Sequence, residues 1–120
     1  MKYMLLLRFE PGIGPEEGTP EFAEEMATWG RLNQELEEAG VFIAATGLET
    51  DEAATTVRKR DGDRLVTDGP FAESKEILFS YYVIDVADLD AAIEWAEKMP
   101  AVGYGSVEIR PLAAVEQDAS

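Results

Sequence analysis

A ferredoxin-like α+β sandwich with an inserted β-hairpin is the fold class the sequence predicts, and three observations predict it. Two stretches, Lys2–Phe9 and Glu76–Val86, are apolar on both faces, as strands in the middle of a covered sheet are. Each half of the chain also carries one amphipathic helical stretch between a central strand and a further β-rich run. Between the halves, the pair Asp61-Gly62 joins two short β-rich runs and suits a hairpin turn with positive φ. The order β-α-β, hairpin, β-α-β then places the first and third main strands at the centre of the sheet.

Taken in order, the first strand spans Lys2–Phe9, and Pro11 to Gly18 is a loop. Thr19-Pro20 starts a helix, because the hydroxyl can accept from an early amide and proline loses nothing by lacking its N–H at the first position. Phe22, Met26, Trp29, Leu32 and Leu36 form its apolar stripe to Ala39, and Gly40 follows as a C-terminal cap. Gly30 inside that helix costs about 1 kcal/mol relative to alanine, which points to a close neighbour. Val41–Leu48 is the second strand, and Thr55–Arg60 with Arg64–Thr67 is the hairpin.

In the next strand, Ile77, Phe79, Tyr81 and Val83 alternate with Leu78, Tyr82 and Ile84. Asp88 caps a second helix whose buried stripe is Leu89, Ala92, Ile93 and Ala96, and Pro100 ends it. Trp95 lies off that stripe and is expected against a loop or a neighbouring chain. A last strand runs through "SVEIRPL", with Tyr104 and Ser106 at its start as cleft-lining candidates, and the polar tail from Glu116 is expected to fray.

The chain of 120 residues reads as one domain, 46% hydrophobic and 29% charged, which is a globular and not a disordered composition. Ten Lys and Arg against twenty-five Asp and Glu leave a net charge of −15. Such a field repels phosphate backbones and anionic lipid heads, so neither nucleic acid nor a membrane is an expected partner. Cysteine and histidine are both absent. Thiolate nucleophiles, Ser-His-Asp triads and the usual zinc and iron sites are thereby excluded, and neither metal nor cofactor is expected. Five consecutive apolar residues near the start, Tyr3–Leu7, are too few for a signal core or a span, so the expected location is cytoplasmic.

Two helices cover one face of such a sheet, yet the central strands carry large side chains on both. A second copy packed sheet against sheet is the expected cover, because an open apolar face of that size is unusual on a soluble monomer.

The least ordinary stretch is "DGPFAESKE", Asp68–Glu76. Its first three residues make a stiff corner, since the glycine permits an unusual φ and the proline stops a central strand. The charges that follow admit two readings. Arg58, Lys59, Arg60, Arg64 and Lys75 form a basic ribbon that could hold a small anion, or they pair with nearby carboxylates at the protein surface. As a ligand site the stretch combines Arg58, Asp68, Phe71, Glu73, Lys75, Tyr81 and Tyr82. As a catalytic site it offers Asp68, Glu73 or Glu76 as acid or base, with Lys75 or Arg58 stabilising negative charge.

The same stretch, with "TTVRKRDGDRLVTDGPFAESKE" before it and "YYVIDVADLDAAIEWAEKMP" after it, resembles the YCII-related family, in its DGPF-domain branch. The resemblance implies a ferredoxin-like protomer in a dimeric α/β-barrel arrangement, and members similar to products encoded beside extracytoplasmic-function sigma factors. Relatives in the wider family carry a His-Asp pair, which this chain cannot reproduce without histidine. The branch usually shows two glycines where this chain has Phe79-Ser80.

Three functions follow as expectations. The first is a homodimeric binding or regulatory module with a small-ligand pocket at the Asp68–Pro70 corner. The second is a cofactor-free enzyme using Asp68 and Glu73 in acid-base chemistry. The third is an accessory module whose acidic surface meets a basic partner, for instance a sigma factor.

Overall fold

The computed structural model describes residues 1–70 and 74–118. Its strands are β1 (Lys2–Phe9), β2 (Phe42–Gly47), β3 (Thr55–Arg60), β4 (Asp63–Asp68), β5 (Ile77–Asp85) and β6 (Gly105–Pro111). The helices are α1 (Pro20–Glu38), α2 (Leu89–Glu97) and the short α3 (Ala114–Asp118). Strands β2, β5, β1 and β6 form one antiparallel sheet in that order, and β3 with β4 forms a separate hairpin. This is a ferredoxin-like α+β fold with an inserted hairpin, with β1 and β5 central as their two-sided apolar patterns predict.

The helix starts are built as their sequences imply. Thr19 Oγ1 accepts from the Phe22 amide at 3.2 Å, and Asp88 Oδ1 accepts from the Ala91 amide at 2.9 Å. Each bond satisfies an otherwise orphaned N–H of a first turn. The hairpin turns through Asp61 at φ 53° and Gly62 at φ 84°, the two positive values that the Asp-Gly pair supplies.

The core lies between the helices and one face of the sheet. Tyr3, Leu5 and Leu7 from β1 and Tyr82 and Ile84 from β5 bury themselves against Leu32, Leu36, Ala92, Ala96 and Met99. Val107 and Ile109 of β6 pack against the same cluster. Among the described residues, no buried side-chain nitrogen or oxygen lacks a hydrogen-bond partner.

Several expectations are corrected. Met26 is 44% exposed and leaves the α1 stripe, while Gly30 has no neighbour within 4 Å of where a Cβ would stand, so close packing does not explain it. In α2, Leu89 and Ile93 are exposed. The buried line is instead Ala92, Ala96 and Met99, with Trp95 packed beside it on the protomer's own core and Lys98 4.6 Å above its ring. The tail does not fray at Gln117, whose side chain accepts from the Lys2 amide at 2.5 Å and donates to the Lys2 and Leu112 carbonyls at 2.7 and 3.0 Å.

The largest correction concerns β5. Leu7 pairs with Ser80 but Arg8 pairs with Leu78, so Phe79 is an extra residue in a β-bulge. The bulge puts Phe79 on the helix side, against the core and 4.6 Å edge-on from Phe9. It also moves Leu78 to the opposite face, beside Arg8, so the expected pairings of Phe79 with Tyr81 and of Leu78 with Tyr82 are both reversed.

Among the described residues, no helix is long and apolar enough to cross a membrane.

Candidate functional site

The corner at Asp68-Gly69-Pro70 is built on the glycine. Gly69 adopts φ 102°, a value costly for any residue with a Cβ, and this turns the chain out of β4. Its amide donates to the Ala54 carbonyl at 2.7 Å, and its own carbonyl accepts from Thr56 Oγ1 at 2.9 Å. The corner is therefore clamped to the base of β3 by backbone and threonine. Asp68 ends β4 opposite Thr55 and is exposed, and among the described residues its carboxylate makes no hydrogen bond.

Pro70 projects from this clamp into a hollow of about 330 Å³, lined also by Leu48, Glu49, Thr50, Asp51, Ala53, Ala54 and Leu78. A second hollow of about 370 Å³ lies beyond it, where Pro70 and Asp51 are joined by Glu52, Gly69, Ser74 and Ile77. The walls of the first are chiefly apolar, and its described charges are the carboxylates Glu49 and Asp51. Such a lining favours a neutral ligand with an apolar body over an anion.

Leu78 links the hollow to the uncovered sheet face. The register places Met4 opposite Val83, Leu6 opposite Tyr81 and Arg8 opposite Leu78 on that face. All six are partly or wholly buried by their neighbours in the strands. Polar groups gather at the Leu78 end. Arg8 Nη1 contacts Glu108 Oε1 at 2.6 Å, and Ser106 Oγ, paired in register with Arg8, donates to Glu76 Oε1 at 2.7 Å.

The predicted site residues fall in different places. Arg58 is half-buried in the middle of β3, and Lys75 is exposed before β5. Tyr81 is half-buried on the open face opposite Leu6, but Tyr82 points the other way. Its hydroxyl donates to Asn33 Oδ1 at 2.6 Å and its ring stacks on Trp29 at 6.0 Å, in a helix-side hollow of about 270 Å³. Burial raises the Tyr82 hydroxyl pKa, and the Asn33 bond partly opposes the rise. The structure thus separates Tyr82 from the corner. Phe71 and Glu73 lie outside the described residues.

Neither Leu78 nor the segment Leu48–Ala54 stands out in the sequence as part of a site, and Arg8 directly follows the apolar run Tyr3–Leu7. A signal did exist for Arg8, since a cation three-quarters along a two-sided apolar strand needs a polar neighbour on one face. Of the cleft-lining candidates, Tyr104 donates to Glu25 and Ser106 to Glu76.

A family model described as the YCII-related domain matches residues 1–116. Among curated proteins, the Uncharacterized protein R00369 of Rhizobium meliloti strain 1021 is 34% identical over 115 residues, spanning 94% of this chain and 93% of its own length. Among solved structures, the 5-chloro-2-hydroxyhydroquinone dehydrochlorinase of Burkholderia phenoliruptrix AC1100, in complex with 2,5-dihydroxybenzoquinone, is similar over 94% of both chains. Its sequence identity is 11% and its TM-score 0.49.

Proposed function

Because this chain belongs to the YCII-related family, we propose that it works as that fold's simplest unit, a homodimer paired open sheet to open sheet, holding a small ligand in the corner hollow. The observation that carries this reading is the double position of Leu78, which walls the hollow and also sits on the uncovered face beside Arg8. A second copy laid on Met4, Leu6, Tyr81 and Val83 removes apolar surface from water, worth about 25 cal/mol per Å². The same contact shuts the open side of the hollow at Leu78, so pairing and ligand binding are coupled. Coupling of that kind suits a binding or regulatory module, in which ligand shifts the dimer equilibrium.

A second reading is favoured by Glu76. This half-buried carboxylate accepts from Ser106 on the open face, next to the Arg8–Glu108 pair. Enclosure by a second copy takes it further from water, the setting in which a carboxylate becomes an effective general acid or base. In that case the chain is a cofactor-free enzyme acting on the same ligand, with Glu76 and not Asp68 as the proton carrier, because Asp68 is exposed.

Sedimentation velocity with and without ligands from a neutral-metabolite thermal-shift screen tests both readings. A dimer whose dissociation constant falls in the presence of a hit, with Leu78→Ala abolishing that response, supports the module. A monomer at tens of micromolar, or hits that ignore Leu78→Ala, counts against it. Turnover of a hit that disappears in Glu76→Gln while binding persists selects the enzyme.

A further inference from the structure

The β3–β4 hairpin stands away from the body. The Cα radius of gyration is 16.5 Å and the extents are 49 × 42 × 18 Å, against about 14 Å for a compact chain of this length. A two-stranded hairpin with nothing packed on it is marginally stable in water. Yet this one exposes apolar side chains, with Val57 at 62% and Val66 at 51% relative accessibility.

The register makes one face of it specific. Val57 lies opposite Val66, and toward the tip Lys59 lies opposite Arg64 on the same face. Like charges directly across an antiparallel pair are destabilising, and among the described residues neither Lys59 nor Arg64 has a carboxylate within ion-pair distance. The face thus combines an uncovered valine pair with a cation pair at the tip that no described carboxylate bridges, while Asp68 stands on the same face at its base, opposite Thr55. It needs a partner that is both apolar and acidic.

The composition points to that partner. The segment 55–68 holds four of the ten Lys and Arg but only three of the twenty-five Asp and Glu, so the acidic excess belongs to the rest of the chain. A small anion or a phosphate backbone could meet the cations but cannot cover the valines, whereas the surface of a folded acidic chain can do both.

We propose that the β3–β4 arm is a clasp that seats its Val57, Lys59, Arg64 and Val66 face on the acidic body of a second copy. The proposal rests on the pairing put forward above and gives it a second, electrostatic contact. Reciprocal arms across a two-fold axis then double the contact, as an isologous interface requires. Attraction between arm and body makes pairing weaken as salt rises, whereas sheet-on-sheet burial between two copies of charge −15 would strengthen as their repulsion is screened.

The test is sedimentation velocity on the full chain at 50 and 500 mM salt. Three proteins are compared: the native chain, Lys59→Glu with Arg64→Glu, and Val57→Ser with Val66→Ser. The expected native result is a dimer whose dissociation constant rises at least about fivefold at high salt. Each double variant weakens the dimer by at least about tenfold at 50 mM, with an unchanged thermal midpoint showing that the exposed substitutions leave the body folded. A Val66→Cys variant in this otherwise cysteine-free chain, carrying a photo-crosslinker, is then mixed as light and heavy isotope forms. Mixed-isotope crosslinks to Asp- and Glu-rich peptides are the expected product.

A native dimer indifferent to both double variants, or crosslinks confined to single chains, overturns the clasp while leaving sheet pairing intact. The arm face then belongs to a different acidic protein. A native monomer at tens of micromolar overturns both.

Discussion

The Tyr104 hydroxyl donates to Glu25 Oε2 at 2.9 Å, tying the entry of β6 to the first half of α1. The same ring stands edge-on to Phe9 and lies so near Gly14 that a Cβ there would come within 3.0 Å of it. One side chain thus fastens the loop before α1, the helix and the sheet. Burial first, then the hydrogen bond and the negative charge of Glu25, pushes the Tyr104 pKa up to about 12.

A pH prediction follows from that shift. The folded state holds the Tyr104 proton more tightly than the unfolded chain, whose tyrosine titrates near 10. The stabilisation is therefore complete below about pH 10 and is lost as pH rises through about 12. Tyr104→Phe should lower stability at neutral pH by about 1 kcal/mol, an amount reduced by the partial exposure of the pair, and should flatten the decline between pH 10 and 12. Urea melts of both proteins at intervals from pH 7 to 12 check the sign. A variant that keeps the native slope refutes the assignment.

Two glycines should respond oppositely to alanine. A Cβ on Gly105 would lie within 2.1 Å of the Arg8 carbonyl oxygen, a backbone atom fixed by the β1–β6 ladder. Gly105→Ala is expected to cost about 3 kcal/mol or more, by forcing the two strands apart. Gly30 sits in open space on an exposed turn of α1. Gly30→Ala should instead stabilise by about 0.5 to 1 kcal/mol through helix propensity and a less flexible unfolded chain. Thermal denaturation separates the two directions.

What the sequence made legible was whatever depends on neighbours in the chain. The caps at Thr19 and Asp88, the Asp61-Gly62 turn, the Gly69 corner and the two central strands all follow from local spacing and turn chemistry. What it hid depends on register. The bulge at Phe79 adds one residue to β5, and because side chains alternate with a period of two, that residue exchanges the faces of Phe79 and Leu78. The site inherits the same difficulty. Tyr81 and Tyr82 look equivalent as a pair in sequence, but one faces the open sheet and the other bonds Asn33 under α1. In α2, alanines form the buried line because small side chains let the helix approach the sheet, which hydrophobicity alone does not reveal.

Gln117 offers a test of the tail. Its side-chain oxygen accepts from the Lys2 amide, and its nitrogen donates to the Leu112 carbonyl and, as a second donor beside the Leu112 amide, to the Lys2 carbonyl. Gln117→Ala should destabilise by about 1 to 2 kcal/mol. It should also raise hydrogen exchange at the Lys2 amide well above that at Leu5. Equal protection at Lys2 in both proteins would mean that water replaces the side chain without loss.

Leu6 and Leu78 separate pairing from ligand binding. Both lie on the open face, but only Leu78 also walls the corner hollow. If a second copy covers that face, truncating either leucine removes apolar surface from the interface, so Leu6→Ala and Leu78→Ala should each weaken the dimer by about 1 to 3 kcal/mol, roughly fivefold to a hundredfold in dissociation constant. Ligand affinity measured at protein concentrations that keep every variant dimeric should then fall for Leu78→Ala and stay within about twofold for Leu6→Ala, because the methyl groups lost from Leu6 never faced the ligand. Equal losses of affinity at both positions would place the ligand on the sheet face itself, away from the Pro70 corner.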